Sequence, residues 1–380
     1  MAVVTVADPI ATLPGIDAHP HARAVLLAGL PPHGHPSHAY LFHGPPGTGK
    51  RTIARAFATA LLADGAEDPG RVAERIARGS HPDLTWVSPS GASEMLVSDI
   101  EEPVVAAATR TPFESSRRVF VIEGVHAMNE QAANRMLKTL EEPPAFVHLL
   151  LLSDRREDVL ATVASRCQQV RFDPLPPARI AEGLAGVEPE RARACAALAL
   201  GDAQLAARLA GGEGEALRAG AEAFVRGALA GETERRPWMA LLDAAKGAGA
   251  AAGEREQERT ASELELLPSR ERKRHEREAT EARRRGERRV RTRTLDLALR
   301  LGELWLRDLL CICEGAAELI YAVDRRAELE QDARELHGQG GRVARGIELV
   351  AETRLALPLN VSEELALEAL AYRLQALLGT

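Results

Sequence analysis

Aromatic residues are scarce in this 380-residue chain, with Phe, Trp and Tyr together at 3%. A surface that stacks successive unpaired bases needs more rings at regular spacing, so a base-stacking platform for single-stranded nucleic acid is excluded. There are only four cysteines, Cys167, Cys195, Cys311 and Cys313, with no CxxC pair and no zinc-finger spacing against histidine. A disulfide-stapled secreted scaffold is excluded, and the composition fits a reducing cytosol. Cys311-Ile312-Cys313 lies in an apolar run and reads as buried free thiols. No apolar stretch reaches the roughly 18 residues of a membrane span. The opening MAVVTVADPIATLPG has no basic n-region and no long apolar run, so no leader is read there and a cytoplasmic location is expected. An overall basic excess is also missing. The formal net charge is −7 with 27% charged residues, which excludes a histone-like polycation and leaves room for a local basic patch. The hydrophobic fraction of 45% supports a real core, and the length allows two or three domains.

Residues 1 to about 174 alternate short apolar runs with amphipathic helical stretches. His38 to His43, Leu84 to Val87, Arg118 to Ile122 and Val147 to Leu152 read as strands, the last one continuously apolar, as in a strand buried on both faces of a parallel sheet. Strands alternating with helices imply βαβ units. Asp173-Pro174-Leu175-Pro176-Pro177 breaks the pattern. An Ala- and Leu-rich segment with helical periodicity, 175–230, reads as a small helical domain, and 231–380 as a second helical region. Residues 270–293 hold 12 basic and 5 acidic residues, preceded by an acidic flank. A solvated helix laced with i,i+4 ion pairs, a nucleic-acid contact and a disordered insertion all stay open for this run.

Gly44-x-x-x-x-Gly49-Lys50 follows a strand and precedes a helix, the context in which a phosphate-loop signature carries weight. The glycines Gly44, Gly47 and Gly49 let backbone N–H groups converge on phosphate oxygens. Thr48 belongs to the same turn, the helix N-terminus adds positive potential, and Lys50 brings a charge to the outer phosphates. The next position should hold a Ser or Thr whose hydroxyl binds Mg²⁺, but it is Arg51. Thr52 lies about 100° further round the helix and does not simply replace it. The strand ending at Ile122 runs into Glu123-Gly124. Glu123 could support a metal ion, but Gly124 has no side chain to act as a general base. The loop is therefore expected to accommodate ATP with an impaired magnesium site and without its own hydrolysis.

Three further segments make the resemblance specific: Ser37-His38-Ala39-Tyr40-Leu41-Phe42 before the loop, Asn134-Arg135-Met136-Leu137-Lys138-Thr139-Leu140-Glu141-Glu142-Pro143-Pro144, and Ser165-Arg166-Cys167. Together they resemble the bacterial clamp-loader branch of the AAA+ superfamily. Within it, His81-Pro82-Asp83-Leu84 and the departures at 51 and 124 resemble the delta-prime subunits of DNA polymerase III. The resemblance is dense over residues 20–172, weak over 175–230 and architectural beyond.

The resemblance implies an α/β AAA+ P-loop domain over 1–174, a helical lid over 175–230 and an α-helical collar over 231–380. The collar would carry a charged insertion at about 253–293, and Leu357 to Leu374 resembles its last helix with the lead-in. It implies that Arg166 is an arginine finger offered in trans to a neighbouring ATPase subunit, and that the binding residues for nucleotide are Gly44, Gly47, Thr48, Gly49, Lys50, Thr52 and Glu123. It implies as partners the gamma/tau and delta subunits, the sliding clamp and, through the complex, primer-template DNA, with no membrane. An active ATPase of the gamma/tau type is the alternative, and a different AAA+ machine the third reading. Residues 59–80 lack the cysteines of the zinc module that many of these subunits carry, so no zinc is expected. Gly201-Asp202-Ala203-Gln204 stands where a second sensor would place an arginine, and Glu101 where related subunits often have an arginine near DNA. Cys167 reads as a small buried hydrophobe, Trp86, Trp238 and Trp305 as core, and His126 as structural.

Overall fold

A computed structural model describes residues 13–30, 34–89, 94–265, 269–359 and 361–379. The chain divides into two compact units, residues 1–175 with 201–203, and residues 176–200 with 204–380.

The first unit is built on a five-stranded parallel sheet of β1 (Ala39–His43), β2 (Leu84–Val87), β3 (Arg118–Glu123), β4 (Val147–Ser153) and β5 (Gln168–Arg171), in the order β2-β3-β4-β1-β5. Alternation along the strands sends side chains to two separate cores. Tyr40, Phe42, Val119, Val121, Leu150 and Leu152 pack on the side of the helix Lys50–Ala63, with Ile53, Phe57 and Leu61. Leu41, Phe120, Ile122, Leu149 and Leu151 face the opposite layer, which holds Met136 and Leu140 of the helix Glu130–Glu141. β4 is buried at all seven positions, as a central strand covered on both faces must be. β1 sits between β4 and β5, where the strand order reverses, and at its carboxyl end begins the turn 44–49. Ligand crevices of open α/β sheets lie at such switch points.

Four strands coincide with the apolar runs of the sequence. The fifth, Gln168-Gln169-Val170-Arg171, was not among them. It is an edge strand with a single buried residue, Val170, and carries no apolar run to betray it.

The second unit is helical. One continuous core joins Cys195, Leu198 and Leu209 to Phe224, Trp238, Leu295, Trp305, Leu349 and Leu370. Within it Arg218, 5% exposed, makes a two-pronged ion pair with Asp324 at 2.8 Å on each side and a third contact with Glu222 at 2.8 Å. The charged run forms a long antiparallel hairpin from the helices Met239–Glu265 and Ser269–Cys313. Ion pairs i,i+4 along its described part are loose, Arg283–Glu287 at 3.6 Å and Arg285–Glu281 at 3.9 Å. The segment from Leu357 to Leu374 is a 3₁₀ turn, Leu357–Leu359, and the helix Glu363–Leu378, with Ser362 accepting from Leu365 N as its N-cap. Asn360 lies outside the described residues. Among the described residues no helix is long and apolar enough to cross a membrane.

Candidate functional site

The turn after β1 has the backbone of a phosphate cradle. Gly44, Gly47 and Gly49 all take positive φ, and Gly49 caps the helix Lys50–Ala63. A Cβ at Gly44 would collide with the carbonyl oxygen of Phe172, so only glycine lets the turn approach the chain leaving β5. Thr48 is buried and donates its hydroxyl to Pro45 O at 3.0 Å, which locks the turn from inside.

Lys50 does not reach outward. It is 5% exposed, and its ammonium donates to Gly44 O at 2.6 Å and Pro45 O at 2.5 Å and pairs with Asp154 at 2.8 Å. Asp154 follows β4 directly. An arriving phosphate must therefore compete with a carboxylate and two carbonyls for the one lysine of the loop. A second carboxylate crowds the apex, because a Cβ on Gly47 would run into the side chain of Asp202. An acid thus stands at the place where the family's second sensor would bring positive charge.

The magnesium position is filled by an ion pair. Arg51 Nε lies 2.7 Å from Glu123 Oε1 at the end of β3. The same carboxylate accepts from Trp86 Nε1 at 2.6 Å and Ser88 Oγ at 3.4 Å, and Arg55 stacks over the Trp86 ring, 5.0 Å from its centre. Glu123 is 17% exposed and its acceptor capacity is directed at these donors. A divalent cation needs oxygen ligands with room for its own waters, whereas this position offers a guanidinium. The residues present do not fit Mg²⁺. Thr52 is exposed on the helix and does not restore a ligand. Gly124 has φ +68°, and a Cβ there would stand 2.9 Å from Pro89 Cγ, so the place of a general base is sterically closed as well as chemically empty.

Arg166 lies beyond the short helix Ala161–Ala164. Its guanidinium is 35% exposed and held by Glu141 of the LKTLEEPP segment, with Nη2 at 2.5 Å and Nε at 2.9 Å from Oε1, while Nη1 donates to Thr162 O at 2.9 Å. The helix Glu130–Glu141 brings Glu141 there. It is capped by Asn129, which accepts from Ala132 N at 2.9 Å, and stops before Pro143-Pro144. Beside Arg166, burial pushes the Cys167 thiol up to about 12, too high for a nucleophile at neutral pH.

Asp83 of the His-Pro-Asp-Leu segment is fully buried and accepts from the backbone N–H groups of Phe113, Glu114 and Ser115 at 2.6 to 3.0 Å. Its role is to fix the chain entering β3. Sequence reasoning placed the glycines, Lys50, Thr52, Glu123 and Arg166. It missed Asp154 and Glu141 as partners; Trp86, expected in the core, packs partly buried against it and in addition braces Glu123. Each of these partners is far away in sequence, and only the parallel strand order brings them together.

The family model for DNA polymerase III, delta subunit, matches residues 24–176. The delta' subunit of Pseudomonas aeruginosa DNA polymerase III is 36% identical over 167 residues, covering 42% of this chain and 50% of the relative. The delta' subunit of Bacillus subtilis is 37% identical over 165 residues, covering 41% and 49%. The tau subunit of Bacillus subtilis is 36% identical over 145 residues, covering 36% of this chain and 24% of the relative. The chain thus spans about half the length of the delta' relatives it matches.

Proposed function

We propose, on the premise that the match of residues 24–176 places them with the AAA+ clamp-loader subunits of bacterial DNA polymerase III, that this chain is a delta-prime-like loader subunit that does not hydrolyse ATP itself. In this reading it works in the cytoplasm beside gamma/tau and delta subunits, in an assembly that places the sliding clamp on primer-template DNA, and Arg166 serves the nucleotide of a neighbouring ATPase subunit. The observation that carries it is the Arg51–Glu123 ion pair, which fills the magnesium position with positive charge, next to a Gly124 that supplies no base.

The role of Arg166 follows from its chemistry. A guanidinium is permanently charged and planar and can bridge the oxygens of a transferring phosphoryl group. Provided in trans, such an arginine accelerates hydrolysis by about 10³ to 10⁵ in other phosphate-loop enzymes. Its partial exposure, with a half-exposed carboxylate as its partner, leaves it able to exchange Glu141 for a phosphate.

The competing reading is an active ATPase of the gamma/tau type, favoured by the intact backbone of the loop Gly44 to Lys50. Phosphate release by the purified chain with Mg²⁺ and ATP, alone and mixed with gamma/tau and delta subunits, separates the two. The proposal expects no turnover alone and Arg166-dependent turnover in the mixture. Clear turnover by the chain alone would replace it with the motor reading.

A further inference from the structure

The segment 283–293 of the long hairpin contains seven arginines and one acid, Glu287. At 100° per residue the helix sorts them onto two sides. Arg283, Glu287 and Arg291 face the antiparallel helix. Arg283 donates to Gln257 at 2.8 Å, and Glu287 and Arg291 lie over Gly253 and Gly249. Arg291 is further tied to Glu363. The remaining arc carries Arg284, Arg285, Arg288, Arg289 and Arg293 with only Thr292 between them, and Arg284, Arg285, Arg288 and Arg293 are exposed.

Arg288 and Arg289 have partners, whereas three positions of the arc are poorly compensated. Among the described residues Arg284 and Arg293 make no ion pair, and Arg285 reaches only Glu281 at 3.9 Å. Exposed Lys246 of the neighbouring helix joins Arg284 and Arg288 at the rim of a groove of about 550 Å³. Three acids line the same groove: Glu287, which turns from the same helix towards Gly253, Glu363, which is engaged by Arg291, and Glu364. For a protein with a net charge of −7, such a one-sided run of guanidinium groups is a local inversion of sign.

We propose that the arginine arc Arg284–Arg285–Arg288–Arg293 is a docking surface for the phosphate backbone of duplex nucleic acid. From Arg284 to Arg293 the helix rises about 14 Å, long enough to meet several phosphates of one strand. Guanidinium forks match phosphate oxygens bidentately. The arc offers no aromatic ring, so it has nothing with which to stack unpaired bases. It also lacks the apolar flank by which a basic helix settles into a membrane surface. The contact would be sequence-independent and strongly salt-dependent, because its affinity comes from counterion release. This inference stands on the second unit alone and does not depend on the role of Arg166.

The test is fluorescence anisotropy of a labelled 24-base-pair duplex titrated with the full chain, between about 50 and 200 mM salt. The wild type is expected to bind with a steep negative log–log salt slope. The variant Arg284→Ala/Arg285→Ala/Arg288→Ala/Arg293→Ala should bind at least about tenfold more weakly at 100 mM salt, with a slope shallower by roughly 2 to 4. The all-lysine variant at the same four positions should keep most of the binding, and circular dichroism should show all three proteins equally helical. Three outcomes would overturn the proposal: no duplex binding by the wild type at 50 mM salt, unchanged binding by the alanine variant, or tighter binding of a poly-glutamate peptide than of the duplex.

Discussion

Arg51 and Glu123 neutralise each other across 2.7 Å. Each departs from the pattern of a magnesium-dependent phosphate loop, and the two departures compensate. A carboxylate that would otherwise attract a cation has been given one from the protein. Gly124→Glu is therefore expected to leave the isolated chain without ATP turnover, measured as phosphate release, because the ion pair still holds the metal position. The new side chain also meets Pro89 at a backbone φ of +68° and should cost about 1 to 3 kcal/mol of stability. Robust turnover by this single variant would refute the argument.

Arg166→Ala removes an ion pair that is about one-third exposed on the arginine side, so the melting free energy should change by no more than about 1 kcal/mol. ATP turnover of the assembled loader should nonetheless fall, by on the order of 10³ at the site that Arg166 serves. Glu141→Gln should do neither, since it frees the guanidinium without removing it. Equal turnover in wild-type and Arg166→Ala assemblies would end the finger assignment.

Burial holds the His148 imidazole down to about 4, against an ordinary value of 6.5, although its Nδ1–H donates to Ser37 O at 2.9 Å. Folding thus favours the neutral ring. The contribution is complete above pH 6.5 and is lost as pH falls towards 4, reaching about 3 kcal/mol there. Urea midpoints of the wild type and His148→Gln between pH 7 and 4.5 should converge as the medium is acidified. Other buried histidines, His19 among them, shift in the same direction, so the difference between the two proteins is the informative quantity.

Arg218 is a costly charge to lose. Removing it by Arg218→Met leaves Asp324 and Glu222, both mostly buried, without their common partner. A loss of about 3 to 5 kcal/mol is expected, visible as a lowered thermal midpoint of the second unit. A change below about 1 kcal/mol would mean that solvent reaches the cluster after all.

The strands around the site were legible because a central parallel strand must be apolar on both faces, and β1, β3 and β4 are. β5 was not, since Gln168, Gln169 and Arg171 are polar and only Val170 is buried. The turn 44–49 was readable from its glycines, whose spacing is a backbone requirement. The pairing of Arg51 with Glu123 could not be read, because nothing local in either segment specifies the other. The same holds for Lys50 with Asp154 and Arg166 with Glu141: the departures were visible one at a time, and their mutual compensation belongs to the topology.

The long hairpin is closed in an unusual manner. Where its helices meet, Gly249 and Gly253 receive the stem of Arg291 and the carboxyl end of Glu287, with Arg291 Cγ 2.7 Å from where a Cβ of Gly249 would stand. Among the described residues of the hairpin, the buried apolar ones lie at its base, Leu241, Leu242 and Ala245 on one helix and Leu295 onward on the other. Over the described residues the two helices are therefore joined like a zip whose teeth are apolar at the bottom and polar beside Gly249 and Gly253. Amide exchange should follow that gradient, slow near Leu299 and quickening steadily back to Val290 and Arg283, with no single cooperative step between.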